Sequence, residues 1–391
     1  MKLIVLNDDG TKNIHNITKN SSNNKDKTQY IHSSKKEQNA LKIINNFYSN
    51  NKIILYDDSN KTIESKLNNL DDKIFNNYDF SMMFFTSGST GIPTGALKTK
   101  ENLTKEIEVF SELIKEYNIK KVIVTVPFVH IYGTLIGLLY PLLNGIDIVL
   151  KEHFLPFNLL DTIEENSLIV ATPLYINALN KVQETKDLSK SLFVSSTAPL
   201  MADDAKEFCT KFNTNILQLF GSTETSGIAY KYNDEQLWTP LKSVKISSNK
   251  DNELHIKSPF VSNILYENDF KHINGQIQTF DFVEIQKDNR FKLLGRSSKI
   301  LKVAGKRYST IQIENILEDI EQINKALVFV KKSKKDIKNE LLDITLEASK
   351  EFTSKEIKNI LKSKLSNLKF SIELNYVEKI STNQIGKKLI I

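Results

Sequence analysis

A run of small and hydroxyl-bearing residues early in the chain has the composition of a phosphate-binding loop. Residues 84–100 read F-F-T-S-G-S-T-G-I-P-T-G-A-L-K-T-K. Glycine lets the backbone turn its N–H groups inward, and hydroxyl groups add donors that occupy little space, so such a loop can hold phosphate oxygens. The alternative is a solvated Ser/Gly linker, but linkers rarely lie between an apolar strand and a helix-like segment such as residues 103–114. No G-x-x-x-x-G-K-[ST] spacing fits, so we predict a nucleotide site of another kind than a Walker loop.

The elements that would position this loop alternate between short apolar strands and amphipathic helices. We predict strands at residues 52–56, 121–126, 147–150, 168–171, 192–194 and 216–219 and helices at 101–117, 132–143, 173–182 and 201–212. This alternation predicts an α/β fold with a largely parallel sheet. The texture becomes β-rich after Trp238 and α+β after residue 296, which predicts domains at 1–296 and 299–391.

Composition indicates a soluble protein of a reducing compartment. The 391 residues are 40% hydrophobic and 26% charged, which is ordinary for a globular chain with two or three domains. The lone Cys209 excludes an internal disulfide framework, and we expect it to pack as a small hydrophobe. The apolar region 122–150 is interrupted by Pro, His, Asn and Asp, and no signal peptide is visible. We therefore expect a cytoplasmic protein without stable membrane insertion.

The basic excess of the chain lies in its last quarter. The net charge is +6, and residues 299–391 contain 19 Lys and Arg against 12 Asp and Glu. These lysines form either a solvated surface or a docking face for an acidic partner; the candidates for docking are Lys331, Lys332, Lys334 and Lys335. Aromatic residues are not interleaved with them, so we expect no nucleic-acid partner.

Five short motifs, in a fixed order over some 300 residues, resemble those of the adenylate-forming superfamily of AMP-dependent synthetases and ligases. They are T-S-G-S-T-G-x-P-x-G at 86–95, F-G-S-T-E at 220–224, T-F-D at 279–281, G-R-S-S-K-I-L-K-V-A-G-K-R at 295–307 and N-Q-I-G-K at 383–387. The superfamily contains acyl-CoA synthetases, luciferases and the adenylation domains of peptide synthetases. H-I-Y-G at 130–133 is similar to the acyl or aroyl ligases of aryl-polyene-type pathways.

The resemblance implies a reaction and an architecture. The enzyme would activate an aryl or fatty carboxylic acid with ATP and Mg²⁺ as acyl-AMP, release pyrophosphate, and transfer the acyl group to the thiol of coenzyme A or an acyl carrier protein. It also implies a large α/β domain with a β-rich subdomain, joined to a small mobile α+β domain. Only about 80 residues precede the loop, fewer than in relatives, so the N-terminal lobe would be truncated.

The resemblance further implies roles for residues of the large domain. Thr86, Ser87, Gly88, Ser89, Thr90 and Gly91 would hold the β- and γ-phosphates. Glu224 would bind Mg²⁺ and Thr223 the α-phosphate, although Glu224 could instead be a carboxylate near a helix start. Phe220 with Gly221 would contact adenine, Ser196 would form the opposite wall, and His130 would lie beside the acyl group or remain a core histidine.

Further roles fall near the domain junction and the C-terminus. Asp281 and Arg296 would bind the ribose, with a plain turn residue as the alternative for Asp281. Ser298 would be the hinge and Gly305 would line the path of the thiol. Lys387 would reach the reacting carboxylate and α-phosphate, with Lys388 as an adjacent rival.

One departure from the motifs of the superfamily leaves alternative functions open. Relatives carry a lysine where this chain has Thr94, so Lys98 or Lys100 would have to supply the charge. A catalytically impaired acyl- or nucleotide-binding homologue therefore remains the main alternative. A CoA ligase of another branch, such as an o-succinylbenzoate-type enzyme, would share every motif.

Overall fold

The structure is a computed structural model whose chain divides into two compact units. It describes residues 1–18, 28–32, 35–49, 51–57, 61–68, 72–86, 94–296, 300–303, 306–332, 340–364 and 371–381. The first unit is Met1–Ile246 with Ile256–Ile277, and the second is Ser247–His255 with Gln278–Ile391. The predicted boundary between residues 296 and 299 lies outside the described residues and stays a prediction.

The strands and helices are numbered in chain order. The strands are β1 Lys2–Leu6, β2 Lys12–Asn16, β3 Thr28–His32, β4 Lys52–Tyr56, β5 Met82–Thr86, β6 Thr94–Lys98, β7 Lys121–Val124, β8 Asp147–Leu150, β9 Ser167–Ala171, β10 Leu192–Ser195, β11 Asn215–Ser222, β12 Ser226–Tyr232, β13 Thr239–Pro240, β14 Lys245–Ser248, β15 Glu253–Lys257, β16 Ile264–Tyr266, β17 Phe270–His272, β18 Gln276–Ile285, β19 Phe291–Arg296, β20 Ile300–Val303, β21 Lys306–Ser309, β22 Ile323–Lys332, β23 Glu340–Ala348 and β24 Ser371–Tyr376. The α-helices are α1 Lys36–Ser49, α2 Lys61–Asn68, α3 Lys100–Leu113, α4 Ile131–Thr134, α5 Tyr140–Asn144, α6 Pro156–Thr162, α7 Pro173–Asn180, α8 Ala202–Phe212, α9 Thr310–Glu318 and α10 Ser354–Lys364. Short 3₁₀ helices lie at Asp72–Asn77 and Lys115–Tyr117, and a π-helical turn at Leu135–Leu139 joins α4 to α5.

The largest sheet of the first unit has a parallel centre and antiparallel edges. Its order is β13-β12-β11-β10-β9-β7-β8-β1-β2, and the strands from β11 to β1 are parallel to their neighbours. At one edge β12 and β13 follow β11 in antiparallel pairs, and at the other edge β2 pairs antiparallel with β1. The predicted α/β class and largely parallel sheet are therefore confirmed.

A second sheet of the first unit carries the glycine-rich loop. Its order is β17-β16-β6-β5-β4-β3, with β5 and β6 antiparallel and Thr86 opposite Thr94. The sequence led us to expect a helix directly after the loop, but β6 intervenes and α3 begins only at Lys100. Residues 87–93 lie outside the described residues. The β6 strand was missed because Gly95 and Lys98 interrupt its apolar pattern.

Helices cover both faces of the nine-stranded sheet. Along β7, Val122 and Val124 belong to one apolar cluster, whereas Ile123 belongs to another. The first cluster also contains apolar residues of α1, α3, β4 and β5, so these helices pack between the two sheets. Both faces are buried, which explains the near-continuous apolar strands of the sequence. None of the helices among the described residues is long and apolar enough to cross a membrane.

The second unit combines small sheets with two helices. A four-stranded sheet has the order β14-β15-β18-β19, and a three-stranded sheet has the order β22-β23-β24. Helices α9 and α10 share an apolar cluster with the three-stranded sheet through Ile313, Leu317, Ile357 and Leu361. The α+β texture predicted from the sequence is confirmed for this part of the chain.

Candidate functional site

The predicted site residues of the first unit follow the carboxyl ends of parallel strands. His130 comes after β7, Ser196 directly after β10, and the F-G-S-T-E motif completes β11. In open α/β sheets, ligands bind in the crevice outside these strand ends. The side-chain hydroxyl of Ser196 donates to the carbonyl of Leu219 at 2.9 Å, which joins the ends of β10 and β11.

The F-G-S-T-E motif forms the tip of the β11–β12 hairpin. Across the turn, the N–H of Ser222 donates to Thr225 Oγ1 at 2.9 Å, and the N–H of Thr225 donates to Ser222 Oγ at 3.2 Å. A Cβ atom on Gly221 would lie 2.1 Å from the carbonyl oxygen of Ser226, so only glycine fits at this point of the β11–β12 pair. Thr223 and Glu224 are thereby held in a tight turn.

The carboxylate of Glu224 is available to a cation. Glu224 is partly buried, and its side chain makes no hydrogen bond or ion pair with another described residue, while its backbone carbonyl accepts from Ser262 N–H at 3.0 Å. No group of three or more His, Cys, Asp or Glu that could hold a metal occurs within the described ranges. Mg²⁺ commonly binds through one or two carboxylates together with substrate phosphates, so a single unpaired carboxylate fits this ion.

Lys98 lies beneath the hairpin and is fully buried. Its ammonium donates to the backbone carbonyls of Glu224 at 2.9 Å and Phe260 at 2.8 Å. Burial lowers the pKa of Lys98 to about 7, although the carboxylates of Glu106 and Glu224 act to raise it. This position favours a role in supporting the turn over the phosphate contact predicted from the sequence, which stays untested.

The other lysine that could replace the missing one is also engaged. The Lys100 ammonium donates to the Phe47 carbonyl at 3.3 Å and lies 4.8 Å from the centre of the Phe47 ring. Burial lowers the pKa of Lys100. Thr94 itself is buried within β6.

Glu106 of α3 contacts the hairpin and was not among the residues predicted from the sequence. Its Oε1 accepts from the N–H of Gly227 at 2.8 Å, and burial raises the pKa of its carboxyl group while Lys98 acts to lower it. The available signal was its spacing, because Glu106 falls on the apolar face of α3 between Leu103 and Phe110.

An aromatic pair flanks the start of the hairpin tip. The rings of Phe220 and Trp238 lie 5.4 Å apart, and Lys231 Nζ lies 5.0 Å from the Trp238 ring centre. On the neighbouring loop, Thr197 has a φ of 81°, which is strained for a β-branched residue. Strain of this kind clusters at ligand sites, which agrees with the predicted adenine wall at Ser196.

His130 precedes α4 and remains a candidate for the acyl pocket. Its Nε2 is buried, has no hydrogen-bond partner within the part of the chain that the structure describes, and lies 3.9 Å from Asp57 Oδ2. Burial lowers the pKa of His130, and Asp57 acts to raise it. The neighbouring Tyr132 is fixed in the core, because its hydroxyl lies within hydrogen-bonding distance of the carbonyls of Ala171 and Val194.

In the second unit, two predicted ribose contacts lie side by side. Asp281 of β18 pairs in register with Arg296 of β19, and Asp281 is 3% exposed. Asp281 therefore lies inside a strand rather than in a turn, which removes one alternative for it. Ser298, Gly305 and Lys387 lie outside the described residues, and their roles remain predictions.

One residue of the predicted docking face is already paired. Lys331 Nζ lies 2.5 Å from Asp343 Oδ2, although the Lys331 side chain is 56% exposed. Exposed ion pairs of this kind contribute about 0–1 kcal/mol, so the pairing leaves Lys331 free to exchange partners at little cost. The side chains of Lys332, Lys334 and Lys335 lie outside the described residues.

Comparison with known proteins identifies relatives among CoA ligases. The chain is 25% identical over 285 residues to a probable CoA ligase of Humulus lupulus, with 65% of this chain and 52% of that protein covered. It is 24% identical over 241 residues to a 4-coumarate–CoA ligase of Cereibacter sphaeroides, with 60% and 53% covered. The chain thus spans about half the length of these two relatives.

Solved structures share the fold. The o-succinylbenzoate CoA synthetase of Bacillus subtilis, in complex with its acyl-adenylate intermediate, superposes with a TM-score of 0.79 at 17% identity, covering 93% of this chain and 87% of that one. The family model described as "AMP-binding enzyme" matches residues 2–259. Because this match spans more than half of the chain, the protein belongs to the AMP-binding enzyme family.

Proposed function

We propose that this protein is an ATP-dependent acid–thiol ligase. It would join a carboxylic acid to the α-phosphate of ATP, release pyrophosphate, and pass the acyl group from acyl-AMP to the thiol of coenzyme A or a carrier protein. The observation that carries the proposal is the hairpin tip, where Glu224, whose carboxylate has no hydrogen bond or ion pair with another described residue, follows Phe220 at the end of β11, a strand parallel to β10. CoA-ligase relatives support the same reaction class.

Residues of the first unit would bind different parts of the substrates. Phe220 and Ser196 would hold the adenine, Thr223 would donate to the α-phosphate, and Glu224 would bind Mg²⁺. The ion would neutralise phosphate charge when bound. Burial lowers the pKa of His130, which favours the neutral ring, and this ring would line the acyl pocket.

Pyrophosphate release tests the proposal directly. A panel of aromatic and fatty acids is offered with ATP and Mg²⁺, first alone, then with coenzyme A, then with a holo carrier protein. We expect release that requires both an acid and Mg²⁺ and that Lys387→Ala suppresses, whereas the adjacent Lys388→Ala retains it. ATP binding without release for any acid would reject the catalytic proposal.

A binding homologue without catalysis is the second candidate. The observation that favours it is that Lys98 and Lys100, the two lysines able to replace the one absent at Thr94, both contact backbone carbonyls. It predicts ATP binding with no pyrophosphate release. An enzyme of the o-succinylbenzoate branch would instead release pyrophosphate with that type of acid, since pocket shape decides the substrate.

A further inference from the structure

Two buried side chains of opposite charge form hydrogen bonds with the backbone of the hairpin tip. Lys98, at the end of β6, is 0% exposed, and Glu106 of α3 is 6% exposed. The Lys98 ammonium donates to the carbonyl of Glu224, and the Glu106 carboxylate accepts from the N–H of Gly227. The two side chains therefore hydrogen-bond to the backbone on either side of residues 225–226.

These hydrogen bonds restrict the position of the turn. The Glu224 carbonyl accepts from both Lys98 Nζ at 2.9 Å and Ser262 N–H at 3.0 Å, so it is held from two directions. At the other contact, a Cβ atom on Gly227 would lie 2.9 Å from Glu106 Oε1, so the carboxylate approaches the backbone as closely as glycine permits. A backbone held this way presents the Glu224 side chain in one place.

Each of the two charges depends on the other. Burial opposes the charged form of both groups, and the field of each acts to keep the other charged. Removing one alone leaves an uncompensated buried charge, which is strongly destabilising, whereas replacing both by neutral groups of similar volume is often tolerated. This difference allows stability and positioning to be separated by experiment.

We propose that Lys98 and Glu106 are positioning residues that set where the Glu224 carboxylate meets Mg²⁺ on the triphosphate. The proposal rests on the proposed function, because it assumes that this chain binds MgATP at the hairpin tip. Both side chains are buried, and each contacts the backbone beside the turn. Both act through the backbone that carries Glu224.

The test compares Lys98→Met with the double variant Lys98→Met/Glu106→Gln. The glutamine keeps an oxygen that can accept from Gly227 N–H, so the double variant loses the donor to the Glu224 carbonyl without stranding a charge. ATP binding is measured by calorimetry with and without Mg²⁺, and thermal unfolding is measured in parallel. Trp238, the chain's single tryptophan, reports binding independently through its fluorescence, because it neighbours Phe220.

We expect Lys98→Met to lower both the unfolding temperature and MgATP affinity. The double variant should regain most of the unfolding temperature yet bind MgATP at least about tenfold more weakly, with ATP affinity in the absence of Mg²⁺ unchanged. Lys36→Met is the matched control. That lysine is also buried and donates to two backbone carbonyls, those of Thr125 and Lys151, so its loss should cost stability without altering the Mg²⁺ effect.

A double variant that binds MgATP as tightly as the wild type would overturn the inference. A wild-type protein that binds MgATP but releases no pyrophosphate with any acid would reject the ligase while leaving this test intact. A wild-type protein that does not bind MgATP would overturn both.

Discussion

Replacing Gly221 by alanine should disrupt the hairpin tip through one steric contact. The added Cβ would lie 2.1 Å from the carbonyl oxygen of Ser226 and 2.9 Å from its carbonyl carbon. Ordinary contacts of a Cβ atom begin near 3.4 Å, so the two strands must separate by about 1 Å at this point. Gly221 has no positive φ, so the cost arises from lack of space and not from backbone conformation.

The expected effect on activity exceeds that on stability. Forcing extra atoms into a packed site typically costs about 1–3 kcal/mol of unfolding free energy. The same movement shifts Thr223 and Glu224, which lie between Gly221 and the clashing carbonyl. A displacement of about 1 Å in catalytic geometry can cost about 100-fold in rate, so we expect kcat/KM for MgATP to fall by that factor.

The matched control is Gly145→Ala. Gly145 has a φ of 70° at the end of α5, and a Cβ there would meet nothing within 4 Å. A left-handed conformation costs a non-glycine residue about 1–2 kcal/mol, so this variant should lose similar stability while keeping its activity. Urea unfolding and pyrophosphate release are measured on both. If the two variants keep equal activity, the close approach at Gly221 does not position the site.

Three further perturbations test the chemistry of single side chains. Glu224→Gln should raise the Mg²⁺ concentration needed for half-maximal ATP binding at least about tenfold, because the amide lacks the negative charge a hard cation requires; an unchanged Mg²⁺ titration would remove Glu224 as the ligand. Burial lowers the pKa of His130, so this histidine is protonated at a higher pH in the unfolded chain than in the folded protein, and the free energy of unfolding declines below about pH 6.5. His130→Asn should make that decline smaller, as measured by urea unfolding at pH 7 and pH 5. Burial raises the pKa of Cys209 to about 11, so iodoacetamide should label native protein far more slowly than urea-unfolded protein at pH 7.5, and fast native labelling would contradict the packed thiol.

The strands and helices that were predicted well are those specified by their own residues. The strands at Lys52–Tyr56 and Asp147–Leu150 have the predicted bounds, because each apolar run is bounded by polar and turn-forming residues. Helix α1 was missed because its asparagines and lysines resemble the polar segment before it. Strand β6 was missed because its terminal lysine and its glycine become compatible with burial only through partners far along the chain.

The same distinction separates the two parts of the candidate site. The positions after strand ends, such as Ser196 and Glu224, could be located because a short motif follows a predicted strand. The contacts of Lys98 and Glu106 join residues 126 and 121 positions apart. Nothing local to either residue identifies those partners, so a lysine near a phosphate-binding loop was naturally interpreted as a phosphate contact.

The two glycines of the segment F-G-S-T-E-T-S-G differ in what they accommodate. Gly221 makes room for the carbonyl of Ser226, a neighbour within the same hairpin, whereas Gly227 makes room for two side chains, Leu241 at 2.8 Å and the carboxylate of Glu106 from a distant helix at 2.9 Å. These eight consecutive residues therefore contain both a contact within the hairpin and contacts with residues distant in the sequence. Substitution at Gly221 should be harmful in any hairpin of this shape, because it displaces backbone, but a side chain at Gly227 would be tolerated where the Leu241 and Glu106 side chains rotate away. Consequently Gly227→Ala, whose Cβ meets the ends of two side chains, should lower the free energy of unfolding less than Gly221→Ala, whose Cβ meets backbone atoms, and equal losses of the two variants in urea unfolding would refute this division.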